Sequence, residues 1–267
     1  MYAGTTFRNK SGHIIGVHQK IDRIARRSLK SYLKTDDYFP AIKNILHFEG
    51  NNGPDAIKRK SPSKDEPWHY VDPNNPTDVG IYKIVKSHRE NLIQALKTKD
   101  DVRASFEAAW LAHAIVDGLT PAHHYALDKK IEELWGKPHT ERLSVKEKNL
   151  IKGINLKDSF SKNWQYWGFG GVFTAHIAFE IGVASTIAPV RYKKMKISKN
   201  LLDRLEKEGY EVLLSESVHH VMSLGMYENF VTNRWTQKLA RQTRKVLVPE
   251  IVTMVTLAWI DAVRKSK

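Results

Sequence analysis

Apolar side chains recur at helical spacing along most of this chain. From Ile14 to Leu33 they return at every third or fourth position, with Lys and Arg on the opposite face, and this period is typical of an amphipathic helix. The same pattern predicts helices at residues 38–48, 79–96, 100–117, 127–135, 172–188, 199–208, 210–226 and 233–264. The sequence contains neither a sustained alternation of apolar and polar residues, which strands need, nor an internal repeat. It therefore predicts an all-α fold, a single multi-helical domain over residues 1–267.

Two segments interrupt the helical pattern. Residues 50–76 carry the turn-forming sequences NNGPD, SPSKDEP and DPNNP, which predict a long loop. Residues 136–171 are first charged and then aromatic, and we interpret them as an insertion. We expect its aromatic side chains to form the hydrophobic cover of an ordinary loop; contact with a lipid interface or stacking on nucleic-acid bases are the alternatives. Those side chains are Trp164, Tyr166, Trp167 and Phe169.

Composition narrows the chemistry. The chain has 43 Lys and Arg against 29 Asp and Glu, a formal net charge of +14. Such an excess attracts polyanions, namely nucleic acid, anionic lipid surfaces or phosphorylated substrates, although general solubility is an equal alternative. With no cysteine, disulfides and thiolate metal sites are excluded, so any metal must bind to His, Asp and Glu.

Targeting signals are absent from the pattern. The first sixteen residues, MYAGTTFRNKSGHIIG, show no basic segment followed by an apolar run, so we expect either a cytoplasmic protein or a secreted one whose leader is not in this sequence. No stretch approaches the ~18–20 apolar residues of a spanning helix. The nearest, Val246 to Ile260, contains Pro249 and Glu250 and predicts a packed helix. No transmembrane segment and no protein partner are implied.

Histidine and carboxylate residues supply the most informative chemistry. The pairs His113/Asp117 and His176/Glu180 are spaced i,i+4, which puts both side chains of each pair on one helix face. Imidazole and carboxylate together suit a cation such as zinc, and closely spaced metals commonly serve phosphate ester hydrolysis. We predict a multinuclear metal site. Its candidate ligands are His13, Asp55, His69, His113, Asp117, His123, His176 and Glu180.

A hydrogen-bonded pair in the core is the alternative for His113 and Asp117 alone, since their helix is largely apolar. The surroundings favour metal. Pro121 ends that helix, and His123 follows only six residues after Asp117, close enough to face the same point. Asp55 and His69 lie in the turn-rich loop.

In order and spacing these elements resemble the zinc-dependent phospholipase C and P1/S1 nuclease superfamily. The elements are Gly12-His13, Asp55, His69-Tyr70-Val71-Asp72, His113-x3-Asp117-x3-Pro121-x-His123 and His176-x3-Glu180, which together span roughly residues 12–185. The resemblance implies a mostly helical fold with long loops and three zinc ions at the base of a cleft.

The resemblance also implies how the ligands divide. The first zinc would take Asp55, His69, His113 and Asp117, and the second His123, His176 and Glu180. The third would take His13, the bridging Asp117, and the amino and carbonyl groups of the first residue, which is Met1 here. A hydroxide bridging two zinc ions would attack phosphorus, and Asp55 would also act as a catalytic base.

Three substrate-binding residues follow from the same resemblance. Lys58 matches a position where the nucleases carry a basic phosphate-contacting residue, although a solvated charge run is an equal alternative. Tyr70 and Asp72 would stack on a base and hydrogen-bond its edge in a nuclease, but phospholipases carry similar residues, and packing against Trp68 is the alternative for Tyr70.

Phospholipid is the substrate that the resemblance slightly favours. The glutamate of His176-x3-Glu180, the Asp55–His69 interval and the lack of cysteine resemble the phospholipase C branch. We therefore expect hydrolysis of phospholipid head groups. The alternatives are a P1/S1-type nuclease that cleaves single-stranded nucleic acid, and a non-catalytic, metal-stabilised basic protein that binds anionic membrane or nucleic acid.

Overall fold

Helices make up the part of the chain that the structure describes. The computed structural model describes residues 1, 16–56, 69–124, 127–137, 141, 147 and 150–267; it is 71% helical, and these residues include no strand. The all-α prediction is confirmed. The longer helices are α1 (Val17–Leu29), α2 (Ile42–His47), α3 (Gly80–Lys97), α4 (Asp101–Gly118), α5 (Leu127–Trp135), α6 (Leu156–Trp167), α7 (Val172–Ile187), α8 (Lys199–Glu208), α9 (Tyr210–Ser223), α10 (Met226–Asn233), α11 (Gln237–Gln242) and α12 (Val248–Lys265).

Helices α3 and α4 form a hairpin around which the main core is built. Lys99 turns the chain with a left-handed φ of 54°, and Asp100 caps α4 by accepting a hydrogen bond from the Arg103 backbone N–H. Alanines on α4 let its neighbours approach closely. Helix α12 packs against this hairpin and against α1, and the indole N–H of Trp259 donates to the Ala108 carbonyl at 3.2 Å.

Two predicted helices differ from the structure in their bounds: one is divided and the other ends early. The stretch 233–264 is divided into α11, a π-helical turn at Thr243–Leu247, and α12. Pro249 explains this break, because it has no N–H to donate to the preceding turn. The predicted helix 210–226 ends at Ser223, where Gly225 adopts a left-handed φ of 56° before α10.

The insertion contains a helix that the sequence analysis did not predict. Helix α6 begins at Leu156, where the side chain of Asn155 accepts a hydrogen bond from the Asp158 backbone N–H. Asn155 is a typical capping residue and could have predicted the start of this helix, but the aromatic composition of the segment suggested a loop. Tyr166 on α6 joins Ile131, Trp135 and Ile151 in a second, smaller hydrophobic cluster.

Two stretches combine enough length and hydropathy to meet a criterion for membrane-spanning helices. In Gln237–Lys265 the most apolar window is 78% buried, which agrees with the packed helix predicted around Val246–Ile260. The other stretch, Leu156–Ile187, comprises α6 and α7, and its most apolar window is 39% buried. Gly182 lets α7 pack closely against Trp235, in the segment after α10, because a Cβ at this position would overlap the Trp235 ring.

Candidate metal centre

Several separate segments bring histidine and carboxylate side chains to one buried region. Asp55 lies in a short helical turn, His113 and Asp117 on the last turns of α4, His123 in the 3₁₀ turn Pro121–His123, and His176 and Glu180 on α7. Three groups have ligand atoms within 4.8 Å of one another: His18, His113 and Asp117; Asp55, His69 and His113; and His123, His176 and Glu180. Each group could hold a metal ion.

Asp117 lies between the groups. Its Oδ2 contacts His69 Nδ1 closely and lies 3.3 Å from His113 Nε2. Its Oδ1 lies 3.6 Å from both His18 Nε2 and His123 Nδ1. The two oxygens of this one carboxylate therefore face different sets of imidazoles.

Glu49 orients the His113 imidazole, and sequence reasoning missed it. His113 Nδ1 lies 3.2 Å from Glu49 Oε1, so a proton on Nδ1 would be donated to the carboxylate. Nε2 of the same ring then points its lone pair between Asp55, at 3.7 Å, and Asp117. Nε2 has no hydrogen-bond partner in the described part of the chain. An Nε2 atom that faces two carboxylates is stabilised by positive charge, which either a proton on the ring or a metal cation between the three groups would supply.

The group of His123, His176 and Glu180 also brings imidazole nitrogens beside a carboxylate. Glu180 Oε1 lies 3.1 Å from His123 Nε2 and 3.0 Å from His176 Nε2, and the two imidazole rings stack with centroids 5.1 Å apart. Nδ1 of both histidines is buried and lacks a hydrogen-bond partner within the described residues. The two Nε2 atoms and the Glu180 carboxylate together form the kind of imidazole and carboxylate donor set that zinc takes.

Met1 and His18 complete the cluster. The Met1 ammonium donates to Asp117 Oδ1 at 2.8 Å and lies 3.4 Å from Glu180. His18 Nε2 lies 2.8 Å from the Met1 carbonyl oxygen, and the His18 ring stacks on His113. Spacing assigned His18 no partner, because its contacts are with residues remote in sequence.

Burial and neighbouring positive charges act in opposite directions on the carboxylates of the cluster. Burial alone would raise the pKa of Asp117, but the Met1 ammonium and the His69 and His113 imidazoles hold that pKa well below its usual range. Burial would also raise the pKa of Glu180, but the Met1 ammonium and the His176 imidazole hold that pKa well below its usual range. These carboxylates are therefore ionised at neutral pH.

The histidines respond in opposite directions. Burial lowers the pKa of His113, yet Glu49, Asp117 and Asp55 raise it well above the ordinary value. Burial and the Met1 ammonium lower the pKa of His123 to about 3. His113 thus lies where the field attracts positive charge, while His123 stays neutral and keeps a lone pair for a cation.

The predicted residues fall into three sets. Asp55, His69, His113, Asp117, His123, His176 and Glu180 converge as described above. Tyr70 lies beside the third group, with its ring centroid 5.3 Å from His123 and 6.1 Å from His176, whereas Asp72 accepts a hydrogen bond from the Asn74 backbone in a local turn. His13 and Lys58 lie outside the described residues.

A basic groove lies on the other side of α1. It has a volume of about 650 Å³, and its lining includes Lys20, Arg23, Arg26, Arg27 and Arg191. Lys20 and Arg27 are two and nine residues after His18, which places them on the helix face opposite the cluster. Much of the positive charge on α1 therefore faces away from the cluster.

No family model matches this chain, and no curated protein sequence matches it significantly.

Proposed function

We propose that this protein is a zinc-dependent phosphodiester hydrolase of the phospholipase C and P1/S1 nuclease type, acting on phospholipid head groups. The observation that supports it most strongly is the convergence of three imidazole and carboxylate groups around Asp117. Three such groups within one region are the donor arrangement of a multinuclear hydrolase rather than of a single structural ion.

The residues present fit such ions. Asp55, His69, His113 and Asp117 would hold one, His123, His176 and Glu180 a second, and His18 with Asp117 a third. Five imidazoles and three carboxylates, with no cysteine in the chain, favour zinc over softer or harder cations. When bound, zinc lowers the pKa of water and polarises the phosphoryl oxygens.

Asp55 is the carboxylate best placed to meet a substrate. Its side chain is 29% exposed, more than those of Asp117 and Glu180. Burial raises its pKa, but His113 and His69 hold that pKa below the usual range. A carboxylate that stays ionised accepts a hydrogen bond from an attacking water and orients it, while its low pKa makes it a weak base. Asp55 therefore acts mainly by ligation and orientation.

Other residues position the ligands or exclude water. Glu49 fixes the His113 ring and directs its Nε2 toward the cluster. Tyr70 covers the imidazoles of His123 and His176 on one side, which keeps that group dry and leaves a ring edge for the substrate.

Metal content and hydrolysis test this function together. Purified protein should contain zinc by elemental analysis and hydrolyse phospholipid head groups. Asp55→Asn should keep the helical circular dichroism spectrum and lose most of the hydrolysis. Asp203→Asn, an exposed carboxylate on α8, is the matched control and should behave as wild type.

Each other outcome identifies an alternative. Cleavage of single-stranded nucleic acid without lipid hydrolysis would assign the nuclease activity. Zinc without any hydrolysis, together with polyanion binding, would leave the non-catalytic basic protein. Failure to retain zinc after reloading would overturn the proposal.

A further inference from the structure

Large apolar side chains are exposed to solvent on α6 and at both of its ends. We call this set the α6 face. The exposed fractions are 95% for Ile154, 91% for Leu156, 71% for Phe160, 60% for Trp164 and 86% for Phe169. Single exposed apolar residues are ordinary, but a contiguous apolar surface marks an interaction site.

Helical spacing explains why these side chains share a surface. Leu156, Phe160 and Trp164 follow one another at intervals of four residues, close to one turn, and the rings of Phe160 and Trp164 stack with centroids 6.4 Å apart. Tyr166 points the other way, into the second hydrophobic cluster, where its ring meets Trp135. The helix is thus held to the protein on one side and presents aromatic rings on another.

Basic residues accompany the α6 face. Lys152 and Lys157 are exposed beside it, and the Arg234 guanidinium lies 5.1 Å from the centroid of the Phe169 ring. The acid on α6, Asp158, is engaged by Lys162 at 3.2 Å and by the Ile154 backbone. An aromatic surface bordered by cations suits an anionic lipid surface, where rings enter the interface and Lys and Arg contact phosphate.

We propose that the α6 face docks this protein on anionic phospholipid bilayers. Helix α6 would lie in the plane of the interface, with Phe160, Trp164 and Phe169 reaching the boundary between head groups and acyl chains. Trp and Phe are favoured at that depth because their apolar rings leave water there. The occupant is a bilayer rather than a bound strand or a second copy of the chain.

The docking surface is coupled by packing to the candidate metal centre. Tyr70 packs against the second cluster that anchors α6, and its ring also neighbours His123 and His176. Helix α6, the second cluster and Tyr70 therefore form a continuous packed path between a bilayer on the α6 face and the group of His123, His176 and Glu180. This step rests on the proposed function: the substrate would be lipid within a surface rather than dispersed monomers.

Vesicle co-sedimentation tests the docking without reference to hydrolysis. The zinc-loaded wild type should bind vesicles of phosphatidylcholine with phosphatidylserine more tightly than phosphatidylcholine alone, and added salt should weaken that binding. The double variant F160Q/W164Q should bind about a hundredfold more weakly, since each of its two substitutions removes apolar surface worth roughly tenfold. V102S is the matched control: Val102 is 69% exposed at the start of α4 and should bind as wild type.

Three results would overturn the docking proposal. One is equal vesicle binding by F160Q/W164Q and wild type. Another is a wild-type dimer in sedimentation that the double variant dissociates, which would assign the face to a second copy. The third is single-stranded DNA displacing the protein from vesicles through the same residues while binding more tightly than lipid.

Hydrolysis separates this proposal from the proposed function. The ratio of rates on vesicles to rates on a monomeric short-chain phospholipid should fall in F160Q/W164Q. Docking that depends on Phe160 and Trp164 without any hydrolysis would leave the α6 face intact and remove the hydrolase. Hydrolysis together with vesicle binding that does not depend on Phe160 and Trp164 would overturn the docking proposal and leave the hydrolase intact.

Discussion

Helix α4 carries two histidine–carboxylate contacts, each with a buried carboxylate, that look alike locally and differ in what surrounds them. Toward its start, Glu107 Oε2 lies 2.6 Å from His88 Nδ1, and Arg103 balances the same carboxylate at 2.5 Å. Toward its end, Asp117 meets four imidazoles. Among the described residues, no metal-holding group includes His88 or Glu107.

The difference shows what makes a metal site. The isolated contact between His88 and Glu107 is satisfied by one shared proton and by the Arg103 guanidinium. At Asp117 four imidazoles and the Met1 ammonium surround one carboxylate, and the neighbouring carboxylates Asp55 and Glu180 add further negative charge. Convergence of several such groups, rather than any one pair, is what makes the Asp117 region a candidate site for a multivalent cation.

The largest effect should come from Asp117→Asn. The amide keeps the volume but removes the charge that lies between the groups, so bound zinc and hydrolysis should both fall, by more than the roughly 10–100-fold typical of losing an outer partner of a metal ligand. Elemental analysis and a rate assay measure this. Glu107→Gln is the matched change at the other contact and should keep its full zinc content. Equal zinc loss in both variants would remove the distinction between the two contacts.

Removing the metal with a chelator should lower thermal stability through the Asp117 cluster and not through the His88–Glu107 contact. Ligand at a thousandfold excess over Kd stabilises a protein by about 4 kcal/mol, which corresponds to a thermal midpoint lower by about 10 °C after chelation in a chain of this size. Wild type and Glu107→Gln should lose the same amount on chelation. An unchanged midpoint in both would show that the cluster binds no metal tightly.

Glu49→Gln should give a smaller change confined to the cluster. The amide still fills the buried space but holds the His113 imidazole less firmly, and loss of such an outer carboxylate typically weakens metal affinity 10–100-fold. Competition with a zinc indicator measures this affinity. Glu250→Gln, a carboxylate on α12, is the control, and an equal loss there would contradict a positioning role for Glu49.

His88→Ala should produce the smallest effect of the four. Glu107 loses one buried partner but keeps Arg103, so the free energy of unfolding should fall by about 1–3 kcal/mol, with no change in zinc content. Urea unfolding measures the first quantity and elemental analysis the second. Zinc loss in His88→Ala would mean that the two contacts on α4 are not independent.

Residues joined by local spacing were the ones that sequence could place. The i,i+4 pairs on α4 and α7, and His123 after Pro121, depend on helix geometry and a proline break, both of which are readable in the chain. Helix α4 itself was predicted within one residue at each end. The all-α class followed from the same periodicity.

Long-range partners were beyond that reasoning. His18 enters the cluster through the approach of α1 to α4, and Glu49 reaches His113 across 64 positions; neither has a spacing signal. Helix α6 was hidden because its aromatic residues are exposed, so that its apolar positions do not mark a single core-facing stripe. Asn155, read as a capping residue, was the signal available.

In the proposed site, two ions that shared the Asp117 carboxylate would bind with unequal strength. Two dications drawn to opposite oxygens of one anion repel each other, so the second binds less tightly than the first, and thermodynamic reciprocity makes that penalty the same in either sequence of loading. A titration should therefore resolve unequal steps. Under the proposed function, scarce metal would yield partly loaded protein instead of a mixture of empty and fully loaded molecules.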